Sequence, residues 1–159
     1  VNSRGAIIRF ERRAIEIRIM DEQECIKSDV ALSCFIRALL RRLMQYDKTG
    51  SDVTDISHSV LVRNLSAVIR NGLDAKINHG KYSTARDFCR KLYEIAFESA
   101  SEEEKRYLWV IRKRIENGNL SETILKRVQK RSQRTDLNEA ILAVYSELAE
   151  KLRKNEIYG

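Results

Sequence analysis

The 159-residue chain carries 30 Lys and Arg against 23 Asp and Glu, a formal net charge of +7, with 43% hydrophobic residues, no proline and 6 glycines. This balance excludes a disordered polyelectrolyte, a collagen-like repeat and a disulfide-built miniprotein, and a chain of this length can bury a core of its own. The absence of proline and the scarcity of glycine disfavour a many-stranded sandwich or barrel and favour long helices.

The first segment differs from the rest. Ala6 to Phe10 and Ala14 to Met20 alternate, with Ile15, Ile17 and Ile19 on one side and Glu16 and Arg18 on the other, the period of a half-buried strand. Joined through Glu11, Arg12 and Arg13, the two runs predict a hairpin. A lone hairpin is marginal in water and needs further strands or a packed helix. After Asp21 the period turns helical. Ser28 is the expected N-cap, and Leu32, Phe35, Ile36, Leu39, Leu40 and Leu43 form one stripe, leaving Arg37, Arg41 and Arg42 off it. A polar stretch around Gly50 breaks the pattern. A second helix is expected from about Ser57 to Ile69, ending at Asn71-Gly72. Gly80 and Ser83 separate it from a third, Thr84 to about Phe97, with Ala85, Phe88, Cys89, Leu92 and Ala96 inward. Ser101 and Glu104 form a capping box for a fourth helix, which runs through Leu108, Ile111 and Ile115 to Asn117-Gly118. Ser121 is expected to start a shorter fifth helix with Ile124, Leu125 and Val128. Asp136 with Glu139 starts the last, along Leu137, Ile141, Val144, Leu148 and Leu152. No repeat or linker divides the chain. The expected fold is α+β and predominantly helical, a single unit over residues 1–159 in which an N-terminal β-hairpin precedes about six helices.

The chemistry concentrates in the hairpin. Residues two apart on a strand project from the same face, so Glu16 offers a carboxylate beside the Arg18 guanidinium. A carboxylate supplies hard oxygens to Mg²⁺, and an arginine forks onto a phosphate. The competing reading is a solvated ion-pair ladder. On the second helix, Arg63 and Arg70 are seven apart, as are Asn64 and Asn71, so each pair shares a face away from much of the Leu61-Leu65-Val68 stripe. Asn71-Gly72 reads first as a C-cap. His58 and His79 have no partners at metal-ligand spacing. Cys25, Cys34 and Cys89 lack C-x-x-C spacing and are odd in number, which suits reduced thiols in the cytoplasm. No run reaches the roughly 18 apolar residues that span a bilayer, and no signal peptide is apparent, so no membrane is expected.

The run Ala14-Ile15-Glu16-Ile17-Arg18-Ile19-Met20-Asp21, with the following Val30-Ala31-Leu32…Ile36-Arg37-Ala38-Leu39, resembles the carboxylate-amine ligases related to bacterial and plant glutamate-cysteine ligases. Those enzymes share the E-x-R strand with glutamine synthetase. The likeness continues in Asn64…Arg70-Asn71-Gly72-Leu73-Asp74-Ala75, which is similar to the family's N-x-x-x-A-x-R-x-G-L-x-A segment. It also reaches Tyr107-Leu108, Asn117-Gly118-Asn119-Leu120-Ser121 and Leu148-Ala149-Glu150. The resemblance implies part of a glutamine-synthetase-like fold acting on ATP with Mg²⁺. A carboxylate becomes an acyl phosphate, and an amine displaces phosphate to give an amide. On this reading Glu16 is a metal ligand, Arg18 the catalytic residue that stabilises the transferring phosphoryl group, and Arg13, Asn64 and Arg70 bind nucleotide or substrate.

The chain departs from the family in two respects. Arg12, Arg13 and Ala14 stand where a glycine-containing turn and a small residue or Thr are usual. The family's enzymes are also much longer. With its start at Val1 rather than Met, the chain is expected to be the C-terminal portion of such a ligase, inactive alone, and to pair its hairpin edge with the remainder or with itself. The alternative is a basic helical module for nucleic acid or assembly, carried by Arg37-Arg41-Arg42 and Lys126-Arg127…Lys130-Arg131…Arg134. Interspersed acids and the 7% aromatic content weigh against nucleic acid.

Overall fold

The computed structural model describes residues 5–46 and 56–159, so the polar break around Gly50 lies outside it. The chain is α+β and dominated by helix: β1 (Ala6–Arg9), β2 (Ala14–Ile17), α1 (Ile26–Tyr46), α2 (His58–Asn71), β3 (Lys76–His79), β4 (Tyr82–Thr84), α3 (Ala85–Ser99), α4 (Glu102–Asn117), α5 (Leu120–Ser132) and α6 (Leu137–Lys154). β1 and β2 form one antiparallel pair, and β3 and β4 a second.

The core is where α1, α3 and α4 meet. Ala31 and Ala38, seven apart on α1, are fully buried. Ala31 packs with Val110, Ile111 and Ile115 of α4, and Ala38 with Ala96, Ala100 and Leu108. The leucine and phenylalanine stripe flanks this alanine seam, whose small side chains let the helices approach closely. Leu108 and Val110 are at most 1% exposed, and each such burial stabilises the fold by roughly 1.5–3 kcal/mol.

Local chemistry fixes most helix starts. Thr84 accepts from the Asp87 N–H, and both halves of the Ser101–Glu104 capping box are formed. Asp136 caps α6 by accepting from Asn138 N–H. Two expected caps differ. α1 begins at Ile26, inside which the Ser28 hydroxyl donates to Glu24 Oε1 at 2.8 Å instead of capping. α5 begins one residue before Ser121, because Asn119 and Glu122 form their own capping box.

The C-terminal segment returns to the start of α1. Tyr158 is 1% exposed and its N–H lies 3.3 Å from Glu24 Oε1, while Arg114 Nη2 is 2.5 Å from the same oxygen. Arg127 stacks over the Tyr158 ring, its guanidinium carbon 4.2 Å from the centroid. Asn155 adds a side-chain bond from Lys27 N–H. These contacts strap the α5–α6 pair onto the three-helix core.

β1 and β2 stand apart from that core. β2 ends at Ile17 rather than at Met20, and the isoleucine side is not covered: Ile8, Ile15 and Ile19 are exposed, and Phe10 is 81% exposed. α2 also contributes no buried side chain.

Candidate active site

The first hairpin brings three charges together. Its register sets Ile7 against Glu16 and Arg9 against Ala14, so Arg9 lies diagonally across the ladder from Glu16. Arg18 follows the last residue of β2, its N–H donating to Gly5 O at 2.8 Å. Arg18 Nε donates to Glu16 Oε1 and Arg9 Nε to Glu16 Oε2, each at 2.7 Å. The Arg18 and Arg9 hydrogen bonds hold the Glu16 carboxyl below its ordinary pKa. Each arginine uses only Nε here, so its two terminal nitrogens have no protein acceptor among the described residues. The result is an ion-pair ladder that retains four N–H-bearing nitrogens on two guanidiniums, a geometry suited to phosphate oxygens.

Glu16 is a fit donor for one position of a Mg²⁺ site, being deprotonated and partly exposed. It is not a complete site, since both oxygens already accept from guanidiniums. Among the described residues no group of three or more His, Cys, Asp or Glu could hold a metal ion. This chain's described residues therefore do not by themselves fit Mg²⁺.

The other candidates are spread out. Arg13 sits at the hairpin tip with φ 49°, in the left-handed region that favours glycine, where the turn returns its N–H to Phe10 O at 3.2 Å. With a rise of about 3.3 Å per residue, the strand separates Arg13 from Arg18 by roughly 16 Å along its axis. Asn64 spends its amide on β3: Nδ2 donates to Asn78 O at 3.2 Å and Oδ1 accepts from Asn78 N–H at 2.9 Å. It holds α2 to the second hairpin. Arg70 occupies the last turn of α2, exposed and without an ion-pair partner among the described residues, as is Arg63.

Three residues after Arg70, the Leu73 turn joins a cluster that no local sequence pattern marks as a whole. Glu122 Oε1 accepts from Leu73 N–H at 2.8 Å while Oε2 accepts from Asn119 N–H at 3.1 Å. Arg86 bonds Asp74 Oδ1 at 2.9 Å and the carbonyl of Ile115, closing the cluster against α3 and α4. The capping motif Asn119-x-x-Glu122 was the available signal, but the second acceptor duty toward Leu73 is set by tertiary placement.

The remaining polar groups take structural positions. His79 is 6% exposed and packs T-shaped on Phe88 with centroids 4.6 Å apart. Burial pushes the Cys34 and Cys89 thiols up. The basic run on α5 lines a groove of about 750 Å³ against α6. Within it Glu147 pairs with Arg127 at 3.3 Å and with Arg131, while Lys130 and Arg134 have no acidic partner among the described residues. No described helix is long and apolar enough to cross a membrane.

The profile of the family described as glutamate-cysteine ligase family 2 (GCS2) matches residues 1–146. An uncharacterized protein of Archaeoglobus fulgidus is 39% identical over 158 residues, an alignment that takes in 99% of this chain and 37% of that protein. The chain thus spans 37% of the length of the curated relative it matches. No solved structure matches it.

Proposed function

The chain belongs to glutamate-cysteine ligase family 2, and from that premise we propose that the protein containing it is an ATP- and Mg²⁺-dependent carboxylate-amine ligase to which this chain contributes the Glu16–Arg18 strand. The observation that carries the reading is the pair of half-used guanidiniums flanking one carboxylate. Arg18 and Arg9 are fixed through Nε, so their terminal nitrogens are oriented before any anion arrives. Such preorganised charge is what phosphoryl transfer requires of a protein, because positioning and electrostatic stabilisation dominate that chemistry.

In the proposed reaction a substrate carboxylate oxygen attacks the γ-phosphorus of ATP, releasing ADP and leaving an acyl phosphate. The amine nitrogen then attacks the acyl carbon, a C–N bond forms, and phosphate departs. The γ-carboxylate of glutamate is the leading acceptor and cysteine one candidate amine, both read from the family. Arg18 binds the charge developing on the transferring group. Arg70, and Arg13 at the hairpin tip, bind phosphate or carboxylate groups of nucleotide and substrate. Asn64 acts by holding α2. Glu16 would offer one ligand toward Mg²⁺, with the remaining donors from outside the described residues.

The exposed isoleucine face and the outer edges of β1 and β2, which pair with no further strand among the described residues, fit a strand pair built to be covered by the remainder of the ligase. We place the enzyme in the cytoplasm, in keeping with its reduced cysteines. The test is release of phosphate by the full-length protein with ATP and Mg²⁺, screened over amino-acid pairs and led by glutamate with cysteine. Turnover that needs both a carboxylate and an amine supports the reading; no turnover with any pair overturns it.

A further inference from the structure

We infer that Glu122 is the positioning residue that fixes the turn at Gly72–Asp74 directly after α2, and with it the backbone that carries Arg70. The inference rests on the proposed function for Arg70, but the geometry beneath it stands by itself. α2 buries no side chain. Hydrophobic packing therefore does little to set its orientation, which falls instead to polar ties. One is Asn64 on Asn78 in the middle of the helix. Another is Glu122 just past its end, where Oε1 receives the N–H of Leu73 in the turn that follows α2 at 2.8 Å, three residues past Arg70.

The glycines around Glu122 show how closely the carboxylate is seated. Gly72 has φ +57° and a Cβ added there would collide with Glu122 Oε1; Gly118 has φ +113° and its Cβ would lie 2.7 Å from Oε2. Two loops from different parts of the fold thus leave room for one carboxylate. Its other oxygen completes the α5 capping box on Asn119 N–H. It also sits at the N-terminus of α5, where the helix dipole favours negative charge. Arg86 backs the same turn by holding Asp74, the residue after Leu73. Glu122 consequently couples the turn after α2 to a rigid helix start, and removing it leaves that turn held by Arg86 on Asp74 and by the Ala85 N–H on Ala75 O.

The test uses the full-length protein with Glu122→Ala, Glu122→Gln, Arg70→Ala and the Arg70→Ala/Glu122→Ala pair. Two readouts are taken: amide hydrogen exchange at residues 71–74, and KM and kcat with ATP, glutamate and cysteine. Glu122→Ala should speed exchange at Leu73 at least tenfold while amides of α1 and α4 keep their protection. It should raise the KM of whichever substrate Arg70→Ala affects, with kcat less altered, and the pair should be no worse than Arg70→Ala alone. Glu122→Gln, which keeps one acceptor, should fall between wild type and Glu122→Ala. Unchanged exchange at Leu73 overturns the inference whether or not turnover is found. A KM raised by Arg70→Ala but untouched by Glu122→Ala overturns it while leaving the ligase reading intact. If Arg70→Ala changes neither constant, the role of Arg70 fails and the inference fails with it.

Discussion

Arg41 of α1 grips Glu104 of α4 with both terminal nitrogens, Nη1 at 3.1 Å from Oε2 and Nη2 at 3.2 Å from Oε1. The same Nη1 donates to Ser99 O at 2.6 Å, the last residue of α3, so one guanidinium joins the three core helices. Glu104 also receives Arg37 Nε at 2.6 Å and the Ser101 N–H at 2.7 Å, and is only 2% exposed. A residue needed locally as the N3 member of a capping box is thereby also the electrostatic centre of the helical core.

The Arg41 hydrogen bonds, with help from Ser101 N–H and Arg37, hold the Glu104 carboxyl at about 2, below its ordinary 4.5. A depressed acid stabilises the fold above its unfolded pKa and loses that contribution as pH falls through the folded one. Stability should therefore fall by on the order of 2–3 kcal/mol between pH 4.5 and 2. Urea unfolding across that range should show a fall in wild type that is larger by about this amount than in Glu104→Gln, the other depressed carboxylates contributing alike to both. At pH 7, Arg41→Ala should cost about 2–4 kcal/mol, since it leaves the buried carboxylate only Arg37 and the Ser101 N–H and frees the Ser99 carbonyl.

Gly72→Ala should be destabilising by about 2–4 kcal/mol, because its φ of +57° suits glycine and the new Cβ would meet Glu122 Oε1. Gly80 has a similar φ of +54° but open space around it, so Gly80→Ala should cost only about 1 kcal/mol. Thermal melts of the two variants give the comparison directly.

Arg13 occupies left-handed backbone at a cost of about 1 kcal/mol that glycine would not incur. Arg13→Gly should leave stability equal or slightly higher by urea unfolding. In the full-length protein it should raise the KM for ATP or the carboxylate, as expected of a binding residue. An unchanged KM would remove Arg13 from the site.

Much of this was legible in the sequence, and the omissions have physical causes. The Ser101–Glu104 and Asp136 starts were readable because capping is local. The pairing of Glu16 with Arg18 followed from the strand period alone. Arg9 joined them only through the cross-strand register, which the turn at Phe10–Arg13 sets. β3 and β4 went unforeseen because strands of four and three residues are too short to show a period, and Gly80 marked their turn without revealing its flanks. Alternation marks the Ile15 and Ile19 face as apolar without recording what lies against it, and in this chain that face is exposed. The second duties of Glu104 and Glu122 join residues dozens of positions apart, and no local pattern records them.

Exposed Ile8, Phe10, Ile15 and Ile19 around a two-stranded edge should make the 159-residue chain associate when separated from any larger protein. Sedimentation should show concentration-dependent oligomers that Phe10→Ser with Ile15→Thr reduces. A strictly monomeric wild-type chain at high concentration would show that this surface needs no cover.

The central claim is that the Glu16–Arg18 strand serves phosphoryl transfer, and its most direct measurement is ATP-dependent phosphate release by the full-length protein with glutamate and cysteine, comparing wild type with Arg18→Ala. The account predicts one phosphate released per amide formed, and a fall in kcat on the order of a hundredfold or more in Arg18→Ala with the fold intact by circular dichroism. Amide formation at the wild-type rate in folded Arg18→Ala would contradict it.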